Sequence, residues 1–168
     1  MATTGALWIA VAAANLTQPQ HWVPVAALDY AAMALFSAGM IGLSLSVALL
    51  PTSGAARTAA RIVSGAAATN GIANLLEDGV GLKEFGGLWV ASILVLYLAL
   101  IAFAVLSFRG AMRTIATVAA FSLIGLMLIT YGGAALTGAT WIVFALAPLA
   151  RRSAGSRGER DPSYRKTM

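Results

Sequence analysis

The chain has 168 residues, of which 60% are hydrophobic and only 10% charged. Soluble domains carry about 25% charged residues, and disordered chains are more polar still, so neither a water-facing surface nor disorder suits this composition. The formal charge of +5 does not mark a nucleic-acid surface, because six of the eleven basic residues (Arg151, Arg152, Arg157, Arg160, Arg165, Lys166) fall in the last eighteen positions and the rest sit in short connections.

These totals predict an all-α polytopic transmembrane bundle of six helices. The first helix, 3–17, rests on a short apolar run, Thr3–Leu16, which is followed by Thr17-Gln18-Pro19-Gln20. Ala12 and Ala14 have the spacing of a signal-peptide cleavage site, but no Lys or Arg precedes the run as a secretory signal requires. The second helix, 30–50, is stopped by Pro51. The third, 58–76, is Ala-rich, entered through Arg57 and Arg61 and left through Glu77 and Asp78. The fourth, 88–108, is an uncharged run closed by Arg109. At a rise of 1.5 Å per residue it reaches about 31 Å, close to a hydrocarbon core of about 30 Å. The 37 apolar residues from Thr114 to Ala150 are too many for one span. Gly132-Gly133 divides them, since paired glycines mark turns, into helices 114–131 and 132–150. Residues 151–168 read as a basic, disordered cytoplasmic tail held near anionic lipid.

The charges order these segments. Loop 17–29 has no Lys or Arg; 51–61 has Arg57 and Arg61; 77–87 has Lys83 against three acids; 109–113 has Arg109 and Arg113; 132–136 has none; and the tail is basic. Every second loop is basic, which the positive-inside rule associates with both termini in the cytoplasm. Without the third helix, the second and fourth would have to cross in the same direction with no crossing between them. Five helices with the N-terminus outside is the alternative if the first run does not span. The expected location is the bacterial plasma (inner) membrane, and the bilayer is the first expected partner.

Helices in lipid gain little hydrophobic energy by meeting and rely on close packing of small residues. Ala34, Ala38, Gly42 and Ser46 recur at every fourth position of the second helix, and Ala60, Ser64 and Ala68 do so on the third. Both stripes are expected packing faces. They suit contact with other membrane subunits or with a second copy of the chain as well as contact within the bundle.

Four of the six acids, Asp29, Glu77, Asp78 and Glu84, fall on the outer side of this topology with His21. Asn70, Asn74 and Asp78 have i, i+4, i+8 spacing, which places them on one helix face with Glu77 at its border. Polar groups within a span are costly and turn inward. A candidate outward-open polar pocket therefore comprises Asn70, Asn74, Glu77, Asp78, Asp29 and His21. Trp8, Trp22, Tyr30, Phe85, Trp89, Tyr131 and Trp141 lie near the outer interface, where aromatic residues form a belt. The simpler reading of the cluster is helix capping and loop solvation.

No catalytic residues are assigned, and no metal or cofactor is expected. With one His and no Cys, the chain lacks the ligands for a zinc site, a thiol nucleophile or a bis-His haem. No G-x-S-x-G accompanies His21, and no phosphate-binding glycine loop is present. The string Asn74-Leu75-Leu76-Glu77-Asp78-Gly79 with Glu84-Phe85 departs from the aspartic signal peptidases of lipoprotein processing. Glu77 stands where their first Asp would be, and the Arg that follows it there is absent. The order Trp22, Asp29-Tyr30, Phe36, then Asn74 to Gly79, Gly81 and Phe85, then two tightly connected helices, resembles small, mostly uncharacterised multi-pass membrane proteins of high-GC bacteria. That resemblance implies no reaction. The preferred expectation is a non-enzymatic accessory, assembly or interaction subunit. The alternatives are a small-molecule or ion binding or transport component with an outward polar site, and a membrane enzyme using outer carboxylates.

Overall fold

A computed structural model describes residues 1–17, 27–110, 112–129 and 132–158. Among these residues the chain is all-helical, with six α-helices and no strand. They are α1 (Ala2–Thr17), α2 (Ala27–Ala48), α3 (Gly54–Asn74), α4 (Gly86–Arg109), α5 (Arg113–Met127) and α6 (Gly133–Gly158). Each helix packs chiefly on its neighbours in sequence, and α6 returns to pack on α1, so the six close into a ring. Side-chain pairings show successive helices running in opposite directions. Thr4 meets Ser46, Ser37 meets Asn74, and Ser44 meets Ser64. An even number of antiparallel helices brings the start of α1 and the end of α6 to the same end of the ring.

Ring closure depends on glycine. A Cβ on Gly5 would lie 2.7 Å from the Gly138 carbonyl oxygen, and a Cβ on Gly138 would lie 2.7 Å from that of Gly5. The two backbones therefore touch directly, as small residues permit. A second close approach joins α5 to α6, where a Cβ on Gly125 would collide with Thr137 Oγ1. The turn between them uses Gly132 at φ 85°, a conformation that costs glycine little.

Of the two small-residue stripes, the α2 stripe meets α1 through its later members. Thr4 Oγ1 donates to the Gly42 carbonyl at 3.0 Å and pairs with Ser46 Oγ at 2.8 Å. Ala34 is exposed and Ala38 half-buried. On α3, Ala60 is buried, Ser64 donates to the Ser44 carbonyl at 3.0 Å, and Ala68 is half-buried. The apolar interior gathers Met40, Leu43, Leu96, Leu100 and Phe103 around Trp8 and Trp141. Both tryptophans are core residues rather than members of an interfacial belt, at 0% and 1% exposed. Gly39 makes this possible, since its missing Cβ leaves the Trp8 ring lying against α2. Trp8 packs edge-on to Phe36, and Trp141 edge-on to Phe144.

The exterior is apolar. Leu45, Leu49, Leu94, Leu98, Phe108, Met127 and Val143 are all exposed. Among the described residues two stretches are long and apolar enough to cross a membrane, Ala27–Ala48 and Lys83–Arg109, and only 39% and 33% of their most apolar windows are buried. The apolar helices Ala2–Asn15, Arg113–Met127 and Gly133–Pro148 are shorter. Most helix ends shift from the sequence reading, and two of the shifts change the architecture. The fifth helix stops at Met127, short of 131, where the Leu128 carbonyl accepts the Gly133 N–H at 2.8 Å and closes the turn. The sixth continues through Pro148 to Gly158, so the first part of the expected irregular tail is helical. Residues 159–168 lie outside the described residues.

Substituting Gly138 with Ala forces a side chain against backbone, so it should lower stability by about 1–3 kcal/mol. Gly65→Ala, which meets open space, should be neutral or stabilising by up to about 1 kcal/mol through helix propensity. Unfolding midpoints of the purified protein in a denaturing detergent series check the pair. Equal effects would show that the glycine contact does not close the ring.

Candidate functional site

The two buried amides of the bundle lie along α3, where it runs between α2 and α4. Asn70 is fully buried and Asn74 is 8% exposed. Four residues apart, they share the inner side of α3 yet serve different neighbours. Asn70 Nδ2 donates to the Trp89 carbonyl at 3.1 Å and to Ser92 Oγ at 3.1 Å, both at the start of α4. Ser92 in turn donates to the Trp89 carbonyl at 2.8 Å. Asn74 Nδ2 donates to Ser37 Oγ of α2 at 2.9 Å. Gly71 lies between the two amides, where an added Cβ would come within 2.9 Å of the Ser37 carbonyl oxygen. The helices approach closely here, and the amides join them directly. Two buried polar atoms of this region have no partner among the described residues, Asn70 Oδ1 and Trp89 Nε1.

The expected stripe does not continue to Asp78. After Asn74 the chain makes a wider π-helical turn, Leu75–Gly79, in which the Val80 N–H reaches the Leu75 carbonyl at 3.1 Å. An i→i+5 turn departs from the 100° step that the i, i+8 alignment assumed. Asp78 consequently sits near the surface, 3.5 Å from Lys83 Nζ, with side chains 24% and 62% exposed. Glu77 turns the other way. Its carboxylate lies against Gly86, the first residue of α4, where a Cβ would come within 2.6 Å of Oε1. An acidic group at a helix N-terminus is favourably placed against the backbone dipoles. Lys83–Phe85 form a short 3-10 turn that leads into α4.

Asp29 occupies the first turn of α2 and is half-buried, at the same end of the ring as Glu77 and Asp78. His21 lies outside the described residues. The structure thus brings Asn70 and Asn74 into helix contacts, and it places Glu77, Asp78 and Asp29 at the helix ends without grouping them as one set. Among the described residues, no three His, Asp or Glu side chains come together to hold a metal ion.

Sequence reasoning missed the serine partners. Ser37 and Ser92 are ordinary residues in apolar helices, and only the positions of the neighbouring backbones make them acceptors for the two amides. It also missed Ser122, fully buried on α5, which accepts from Trp141 Nε1 at 3.1 Å.

Replacing Asn74 by Ala should cost about 1 kcal/mol, the scale of an interhelical hydrogen bond. Asp78→Asn should change stability by less than about 0.5 kcal/mol, because its ion pair is solvated. Parallel detergent-unfolding curves compare them, and a larger loss at Asp78 would move the structural weight from the helix contact to the exposed turn.

Comparison with family models, curated proteins and solved structures found no match, so the chemistry of this region rests on its own residues.

Proposed function

We propose that the chain is a six-span protein of the bacterial inner membrane, with both termini cytoplasmic, that acts as a non-enzymatic accessory, assembly or interaction subunit. The observation that carries this reading is the use made of its buried amides. Asn70 gives two hydrogen bonds to α4 and Asn74 gives one to α2, so the amides bind α2, α3 and α4 together.

The membrane placement has two supports. The outward surfaces of the helices are rich in large apolar side chains, and contiguous exposed apolar surface is rare on soluble monomers. The antiparallel ring collects Arg57, Arg61, Arg109 and Arg113 at one end, while Asp29, Glu77, Asp78 and Glu84 collect at the other. That separation follows the positive-inside rule. The short helices α1 and α5, with 16 and 15 residues, reach only about 22–24 Å. Local bilayer thinning accommodates such spans at modest cost.

A second reading, a small-ligand or ion site, is favoured by one observation. Asn70 Oδ1 and Trp89 Nε1 are a buried acceptor and a buried donor with no partners among the described residues, and such groups cost about 1–3 kcal/mol if nothing fills them.

The chain has no native cysteine, so single-cysteine labelling reports sidedness cleanly. Ser53→Cys and Arg109→Cys should react only from the cytoplasmic side, and Lys83→Cys and Glu84→Cys only from the outside. Labelling of all four from one side would remove the six-span topology.

Crosslinking in intact membranes, followed by mild extraction, should recover a stoichiometric complex with another membrane subunit or a second copy. Recovery of only the lone chain would refute the accessory reading. A cation flux in proteoliposomes that Asn70→Leu abolishes would replace it with the second.

A further inference from the structure

The turn from α2 to α3 holds a feature that the amide network does not explain. A hollow of about 280 Å³ opens there, lined by Val47, Leu50, Pro51, Thr52, Arg57 and Arg61 among others. Arg57 is tethered, its Nε donating to the Thr52 carbonyl at 2.8 Å. A guanidinium has five N–H donors, so four remain on its terminal nitrogens. Arg61 follows one helical turn later, on the same face of α3. The described acids all lie at the opposite end of the ring, as does the ion pair between Lys83 and Asp78. Two positive charges thus border a polar hollow with no described carboxylate to neutralise them. Ser53, which precedes α3, makes no capping hydrogen bond with its side chain, so it does not occupy the first-turn N–H groups.

The surroundings define the ligand class. Arginine matches the geometry of phosphate oxygens through paired N–H donors. Within two residues of its lining along the chain, Leu45, Leu49 and Ile62 are exposed by 61%, 73% and 48%. A phosphate held by the arginines therefore sits next to an apolar surface suited to acyl chains. Basic pockets between membrane helices on the cytoplasmic side are a known setting for anionic headgroups.

We propose that this hollow binds the phosphate of an anionic phospholipid from the leaflet at the basic end. The lipid source rests on the membrane reading above; the phosphate chemistry does not.

The test uses the full chain purified in mild detergent, with binding of phosphatidylglycerol and phosphatidylcholine read by native mass spectrometry. Four proteins are compared: wild type, Arg57→Gln/Arg61→Gln, Arg109→Gln/Arg113→Gln and Ala48→Phe. The second pair removes equal charge from the same end but outside the hollow. Ala48 is exposed and lines the hollow, so Phe there fills it while keeping both arginines and sparing the core. Wild type should prefer phosphatidylglycerol. That preference should fall about tenfold in Arg57→Gln/Arg61→Gln and in Ala48→Phe, and less than about twofold in Arg109→Gln/Arg113→Gln. Equal loss in both arginine pairs, with Ala48→Phe unaffected, would reduce the site to diffuse attraction and overturn it. A parallel arm measures the Tm of each protein with inorganic phosphate. A rise in Tm that disappears in Arg57→Gln/Arg61→Gln, without any lipid preference, would overturn the lipid source in favour of a soluble phosphate compound. Failure in both arms by a protein that labels with the expected sidedness overturns the site and leaves the topology standing.

Discussion

The direct contact between the Gly5 and Gly138 backbones is the constraint on which the ring depends. Every other principal helix contact joins elements adjacent in sequence, and short connections supply most of it. Only α1 and α6 must find each other from opposite ends of the chain. At the closest point neither helix carries a side chain, so the backbones touch, and Ile142 and Ile9 pack over the two glycines from the opposite helix. Once the ring is closed, Trp8 and Trp141 become interior residues, and the space for their rings is set by Gly39 on α2 and by Ser122 on α5.

Polar residues inside the ring follow the same economy. Thr4 with Ser46, Ser44 with Ser64, Asn74 with Ser37, Asn70 with Ser92 and Trp141 with Ser122 each tie two helices together. These pairs run through four of the six interfaces, namely α1–α2, α2–α3, α3–α4 and α5–α6. In a low-dielectric interior an unpaired polar group is costly, so such pairs favour one relative placement of each helix pair over sliding alternatives. Charges are kept away from these contacts. The described arginines occupy one end and the acids the other, an arrangement consistent with the proposed crossing direction and with a phosphate-binding turn at the basic end.

The region between α3 and α4 joins the two themes. A regular helix would have carried the face of Asn70 and Asn74 on to Asp78. The π-helical turn breaks that continuity. It leaves the amides in a helix contact, sends Asp78 toward solvent and sets Glu77 against the start of α4. A π turn records a competition between backbone hydrogen bonding and side-chain placement, which no one-dimensional spacing expresses.

The sequence by itself determined that the chain is helical and divides into six helical runs. Apolar runs bounded by Arg109, Pro51 and Gly132-Gly133 are local signals, and local signals act through backbone geometry and solvation. It also determined the alternation of basic and non-basic connections, because charge is a property of position in the chain. Asn70 and Asn74 stood out as inward-facing for the same reason, being amides in an otherwise apolar and Ala-rich helix. Only the tertiary structure decided what those amides touch, that Trp8 and Trp141 are buried, and that α6 closes on α1. Each of these depends on the distance between backbones remote in sequence. That distance is set where two glycines meet, and neither glycine differs, in its own local sequence, from the other glycines of the chain.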